Sequence, residues 1–158
     1  LSSSGVAEDL KRGLEGLLVQ VREDARGGIT VEVLPDRLVE AAERLRNLGF
    51  DHVKSVTGID LPSEKRVAVV YHLSSYTNPA YVKVIVALRT AVERSNPQLP
   101  SLSKVWLSSH YLERETFDLV GVVFQGHPDL GRILLPDDFE GPPPLRKDVV
   151  LKTEGIDA

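Results

Sequence analysis

The chain has 158 residues, a net charge of −4, 42% hydrophobic and 27% charged side chains, a soluble globular balance that argues against disorder, collagen and coiled coil. At this length folding removes roughly 68–70% of the surface an unfolded chain exposes, which supports one cored domain without staples. Cysteine is absent, which removes disulfides, thiolate nucleophiles, Cys-built zinc sites and iron–sulfur clusters held by the chain itself.

Leu10, Leu14, Leu17, Leu18 and Val21 fall on one stripe of period 3.6, which predicts a first helix capped by Ser4 and stopped by Gly27-Gly28. Ile29, Val31 and Val33 alternate with Thr30 and Glu32 as a half-buried strand does. Pro35 opens a second helix, where its missing N–H costs nothing, with Leu38, Ala41, Ala42, Leu45 and Leu48 as the buried stripe and Gly49 as the stop. His52–Ile59 reads as a strand, Leu61–Lys65 as a hairpin turn and Arg66–Leu73 as the returning strand. Tyr81–Arg89 fits both periods. Its β-branched content and the turn at Tyr76–Pro79 favour a third strand of this run. Asn96–Pro100 is a loop, and Ser101–Leu119 holds one or two helices with Ser101, Ser108 or Ser109 as caps.

From Gly121 the chain changes character. Glycines and prolines, ending in Pro142-Pro-Pro144, leave no room for long elements, yet Val122–Phe124 and Ile133–Leu135 are too apolar for a solvated linker. A proline-stiffened segment with apolar patches needs a surface to lie on. The expected fold is α+β: helix, strand, helix, three strands in a mixed or antiparallel sheet, short helices and an extended Pro-rich C-terminal tail. Residues 1–120 form the α+β body and residues 121–158 a partner-docking tail of the same domain.

Charge is uneven. Residues 1–107 carry a net +1, whereas residues 108–141 hold seven acids against Arg114 and Arg132, a net −5. No basic stripe exists to neutralise a row of phosphates, which argues against nucleic acid. Val67–Tyr71 and Leu119–Phe124, the longest apolar runs, are far below the ~20 residues of a membrane span. Leu1–Gly5 lack a signal-peptide pattern. A soluble chain without direct membrane insertion is expected.

One candidate for chemistry is a carboxylate cluster of Glu115, Asp118 and His127, which would make the chain a small free-standing enzyme. Glu113 and Glu115, two apart on a helix, point about 200° away from each other and cannot share a metal or a proton. Ion pairing is the competing role of these acids. Arg114 and Asp118 are spaced for an i, i+4 pair, and Arg132 or Arg146 is expected to fold back onto the Glu115/Asp118 side, stapling the tail to the helix. The four histidines show no paired metal-ligand spacing, and Gly13-Leu-Glu-Gly16 and Gly27-Gly28 are not phosphate loops.

Glu113-Arg-Glu-Thr-Phe-Asp-Leu-Val-Gly121, Phe124-Gln-Gly-His-Pro-Asp-Leu130, Arg132-Ile-Leu-Leu-Pro-Asp-Asp138 and Pro144-Leu-Arg-Lys-Asp148 occur in one order along the chain. Together with Phe50-Asp-His, Thr57-Gly-Ile-Asp60, Val70-Tyr-His-Leu73 and Ser103–Trp106, they resemble the 30 kDa subunit of NADH:quinone oxidoreductase, respiratory complex I. The resemblance covers roughly residues 30–150. It implies a non-catalytic subunit of the peripheral arm, on the cytoplasmic side of the cell membrane, that binds no cofactor or metal. Iron–sulfur clusters and flavin are then expected in partner subunits. The implied partners are a quinone-site subunit related to the hydrogenase large subunit and an iron–sulfur small-subunit relative. The implied signature and interface residues are Glu113, Arg114, Glu115, Asp118, His127, Pro128, Asp129, Arg132, Leu145, Arg146, Lys147 and Asp148. The same resemblance admits the equivalent subunit of a membrane-bound energy-converting hydrogenase or of an F420-dependent dehydrogenase.

Overall fold

The computed structural model describes residues 3–150. Helix α1 (Ser3–Gly13) leads into strand β1 (Leu18–Glu23), which pairs antiparallel with β2 (Ile29–Val33). The long first helix expected from the leucine stripe is thus cut in two, and the helix is already under way at Ser4. Gly13 and Gly16 are the physical reason. Gly16 takes φ +81°, a conformation few side chains tolerate, and reverses the chain after Leu14. Beyond it Leu18 and Val21 sit opposite Val33 and Val31 in the sheet, so residues of a helical stripe serve a strand. Gly27-Gly28 closes the β1–β2 hairpin, and the Asp24 carboxylate accepts the N–H groups of Arg26 and Gly28 there.

Pro35–Arg37 forms one tight turn before α2 (Leu38–Leu48), which ends on Gly49 at φ +113°. Leu38, Ala41, Ala42 and Leu45 are its buried side. Strands β3 (His52–Leu61) and β4 (Arg66–Ser74) make a long hairpin whose turn, Pro62–Lys65, matches the expected one. The next strand, β5 (Val86–Glu93), starts five residues later than Tyr81. Tyr81 is held away from the sheet, its ring stacked on Phe50 at 5.0 Å and its hydroxyl donating to Asp9.

The sheet has five strands in the order β1-β2-β5-β4-β3, parallel only between β2 and β5. Register places Val31, Leu88, Tyr71 and Val56 in one row across four strands, on the helix-covered face; Glu32, Arg89, Val70 and Thr57 occupy the next row, on the other face. Gly58, on the Tyr71 face, lets α3 (Ser109–Val120) approach β3 closely, since an added Cβ there would lie 3.0 Å from Thr116 and Val120. Ser108 occupies the cap position of α3, but its hydroxyl accepts the Val53 N–H instead of capping. The loop expected at Asn96–Pro100 contains a short strand, β6 (Gln98–Pro100), parallel to β7 (Val123–Gln125). Val122 and Phe124 are buried in the domain's own core. Among the described residues no helix is long and apolar enough to cross a membrane.

Candidate functional site

Helix α3 carries the signature acids, and each has a different task. Glu113 is fully buried. Its Oε1 accepts the Tyr71 hydroxyl at 3.0 Å and the Leu102 N–H at 2.7 Å, while Oε2 accepts the Ser101 hydroxyl. Burial pushes its carboxyl above the ordinary range, although those donors oppose the shift. The result joins α3 to the centre of the sheet and to the turn before Trp106. Tyr71 is pushed up as well, first by burial and then by the Glu113 charge.

Arg114 and Asp118 do not form the expected i, i+4 pair. Both reach to the tail instead. Arg114 donates from Nε to the Gly131 carbonyl at 3.3 Å and from Nη2 to the Arg132 carbonyl at 3.1 Å, and it faces the Asp129 carboxylate at 3.3 Å. Asp118 Oδ2 accepts the N–H groups of Ile133, Leu134 and Leu135 at 3.2, 2.8 and 2.8 Å. Burial is the largest influence on the Asp118 carboxyl and pushes it up, but the N–H groups and the Arg132 charge together hold it below its ordinary value. The tail is therefore stapled to α3 mainly through backbone groups. Arg132 is not free in solvent, yet it donates to the Phe139 carbonyl and lies over the Phe139 ring at 5.5 Å rather than pairing with Glu115 or Asp118.

The Glu115, Asp118 and His127 cluster is not assembled. Asp118 faces residues 133–135, whereas His127 Nε2 donates to the His110 carbonyl at 2.9 Å and Nδ1 accepts the Asp129 N–H at 3.0 Å. Both ring nitrogens are thereby occupied within the chain. Glu115 is half-buried beside Gly58 and Leu145, lining a hollow of about 130 Å³. Among the described residues no group of three or more His, Asp or Glu is arranged to hold a metal. Pro128 is exposed at the turn after His127.

The far end of the tail has its own anchor. The Leu145 N–H donates to the Leu119 carbonyl, Arg146 Nε donates to the Val120 carbonyl at 2.6 Å, and Pro143 lies against Gly121. Asp60, whose side chain is wholly buried on β3, accepts Arg94 Nε and Nη2 at 2.6 and 2.9 Å and the Lys147 N–H at 2.9 Å. Arg94 also donates to Asp148 at 2.8 Å. The Arg94 hydrogen bonds draw the Asp60 carboxyl down to about 2 against the opposing effect of burial. Sequence reasoning gives Asp60, Arg94, Tyr71 and Ser101 no site role: Asp60 and Tyr71 fall within motifs of the resemblance, and Ser101 is expected only as a helix cap. The available signal for Asp60 is an acid directly after the expected strand His52–Ile59; the observed β3 runs on through it, and Asp is depleted in strands.

Fold and site define an α+β domain whose C-terminal segment is strapped over one helix by buried acids and paired arginines. The family model described as the respiratory-chain NADH dehydrogenase 30 kDa subunit matches residues 31–155, and the chain belongs to that family. An NADH-quinone oxidoreductase subunit of Roseiflexus sp. (strain RS-1) is 42% identical over 160 residues, covering 99% of this chain and 88% of that protein. An F(420)H(2) dehydrogenase subunit of Methanosarcina mazei is 40% identical over 114 residues, 72% of this chain and 70% of that one. Among solved structures, a trypsin-resistant fragment of Nqo5 superposes with a TM-score of 0.67 at 29% identity, over 82% of this chain and 100% of the fragment. A chain of the membrane-bound sulfane sulfur reductase, an archaeal respiratory membrane complex, gives a TM-score of 0.80 over 96% of this chain and 87% of its own, and at 19% identity it shares the fold.

Proposed function

We propose that the chain is a structural subunit of the peripheral arm of a membrane-bound NADH:quinone oxidoreductase of the complex I type, and that it carries no electrons itself. In this reading it lies on the cytoplasmic side and holds together a quinone-site subunit and an iron–sulfur subunit. The redox groups, iron–sulfur clusters and flavin, belong to those and other neighbours. Glu113, Arg114, Glu115 and Asp118 set the path of the tail, with His127, Pro128 and Asp129 shaping its first turn. Gln125–Leu135 and Pro142–Asp148, including Leu145, Arg146 and Lys147, face the neighbours, whereas Phe124 is buried in the domain's own core.

The observation that carries this reading is the tail itself. Its backbone is bound along α3 by Arg114 and Asp118, while Leu134 and Leu145 remain 56% and 60% exposed. Large apolar side chains held outward on a fixed backbone suit a protein neighbour. The names of the relatives support the kind of assembly. Arg114→Ala is expected to lower the yield of assembled complex severalfold, with each redox centre still present in the complex that forms. Turnover of a substrate by the purified chain, or stoichiometric flavin or metal on it, would overturn the reading. The relative from an F(420)H(2) dehydrogenase favours a second assignment, to the equivalent subunit of an F420-linked complex. Identifying the electron-input subunit that co-purifies with this chain separates the two.

A further inference from the structure

The tail is fastened twice, and the two fastenings share no side chain. The first uses Arg114 and Asp118 and holds residues 129–135. The second lies just beyond Asp118 at the C-terminal end of α3, where residues 143–148 meet Leu119, Val120 and the ends of β3 and β5. Between them run Pro136–Pro142, in which Asp137, Asp138 and Glu140 are exposed.

We propose that Asp60 and Arg94 are the positioning pair of this second fastening, a latch that shapes residues 143–148 on the chain's own body before any neighbour docks. The proposal rests on the docking role given to the tail above. Asp60 is buried and has a complete set of partners. The Arg94 fork takes both its oxygens, and Oδ2 also accepts the Lys147 N–H. A guanidinium in that bidentate geometry has one rigid orientation. Its remaining edge is aimed at Asp148, and its own backbone carbonyl accepts Arg146 Nη1 at 3.3 Å. Arg146 closes the loop by capping the C-terminal carbonyl of α3 at Val120. All of these partners belong to this chain, so the latch needs nothing from outside. Pro142-Pro-Pro144 lowers the entropy lost when the segment settles into place.

The latch also determines how a neighbour can read this stretch. The N–H groups of Leu145 and Lys147 are both used within the chain, on Leu119 and Asp60. Strand addition through those donors is closed, and contact goes through side chains such as Leu145.

Amide hydrogen exchange on the full chain tests the latch. Asp60→Asn is expected to speed exchange at Leu145 and Lys147 about tenfold or more. Exchange at Ile133, Leu134 and Leu135 should stay within about twofold, because Asp118 still accepts those three N–H groups. Unchanged exchange at 145 and 147 overturns the latch, and so does opening of both fastenings together. Asp148→Ala guards against simple unfolding, because that carboxylate is 63% exposed. It should leave the melting temperature unchanged, raise exchange at 147 about threefold, and lower the yield of assembled complex. Faster exchange in Asp60→Asn with assembly at the wild-type level overturns the positioning role. A chain ending at residue 141 that assembles as well as the full one overturns the docking role of the tail and leaves the latch standing.

Discussion

Replacing Asp118 by alanine is the most direct perturbation of the first fastening. One oxygen accepts three backbone N–H groups, from Ile133, Leu134 and Leu135, and the residue is only 6% exposed. Hydrogen bonds to a charged acceptor contribute about 1.5–3 kcal/mol each, so simple addition gives ~5–9 kcal/mol. That total is too large for two reasons. Three donors compete for one oxygen, and the strap can lift so that its freed N–H groups meet water. Lifting caps the cost, and about 3 kcal/mol is the expected loss, concentrated in residues 131–139. Asp118→Asn keeps an acceptor without the charge and should cost about 1 kcal/mol. Because the folded carboxyl sits below its ordinary value, the stabilisation is fully present above about pH 4 and is lost as pH falls through the depressed pKa. Amide exchange at 133–135 reads the local loss, and urea melts read any global share. Exchange at those three amides within about twofold of wild type in Asp118→Ala would refute the reasoning.

Asp60 gives a second acid-side signature: its carboxyl moves from 3.8 to about 2, so about 2 kcal/mol of stability present above pH ~4 should drain away as pH falls toward that value. Urea melts at stepped acid pH should show this slope in wild type and a flatter one in Asp60→Asn. Glu113 acts in the opposite sense. Its folded pKa is raised, so its ionisation costs stability as pH climbs from about 4 through the folded value, and Glu113→Gln should remove that dependence. Glu113→Ala strands Tyr71, Ser101 and Leu102 donors in the core and should cost about 3–5 kcal/mol in the same assay. Gly58→Ala places a methyl 3.0 Å from Thr116 and Val120 and should cost about 1–3 kcal/mol by pushing α3 off β3, read by denaturant melts and by the ring environment of Tyr71.

Strand β2, helix α2 and the β3–β4 hairpin are legible in the sequence because each has a clean period and its own punctuation. Pro35 and Gly49 bracket α2, and Pro62–Lys65 turns the hairpin. The first helix misleads because Leu10, Leu14 and Leu17 are all buried in one core whether or not the backbone stays helical between them. Leucines at helical spacing report burial; Gly13 and Gly16 report the break. The β-branched residues of Tyr81–Ile85 point to strand, but the contact of Tyr81 with Phe50 and Asp9 is tertiary and leaves no local trace. At the site, the pattern locates α3 and the need to pair its charges, but it assigns side chains to side chains. The actual partners of Arg114 and Asp118 are peptide groups of the tail, which every residue possesses and no spacing rule can single out.

Three acids, Asp60, Glu113 and Asp118, are buried, and their environments explain how a small domain holds them. Each is surrounded by donors from segments far apart in sequence: Arg94 and Lys147 on Asp60, Tyr71 and Leu102 on Glu113, and residues 133–135 on Asp118. A buried carboxylate tolerates only an arrangement that supplies those donors together, so a tail shifted by one residue would leave charge and N–H groups unmatched. Apolar contacts alone would not be so strict, since a leucine one position along packs almost as well. The acids therefore give the tail its register, and the leucines give it something to offer a neighbour. Replacing Asp118 by leucine separates the two contributions: stability should recover part of what alanine loses, while exchange at 133–135 stays fast because no acceptor has been restored.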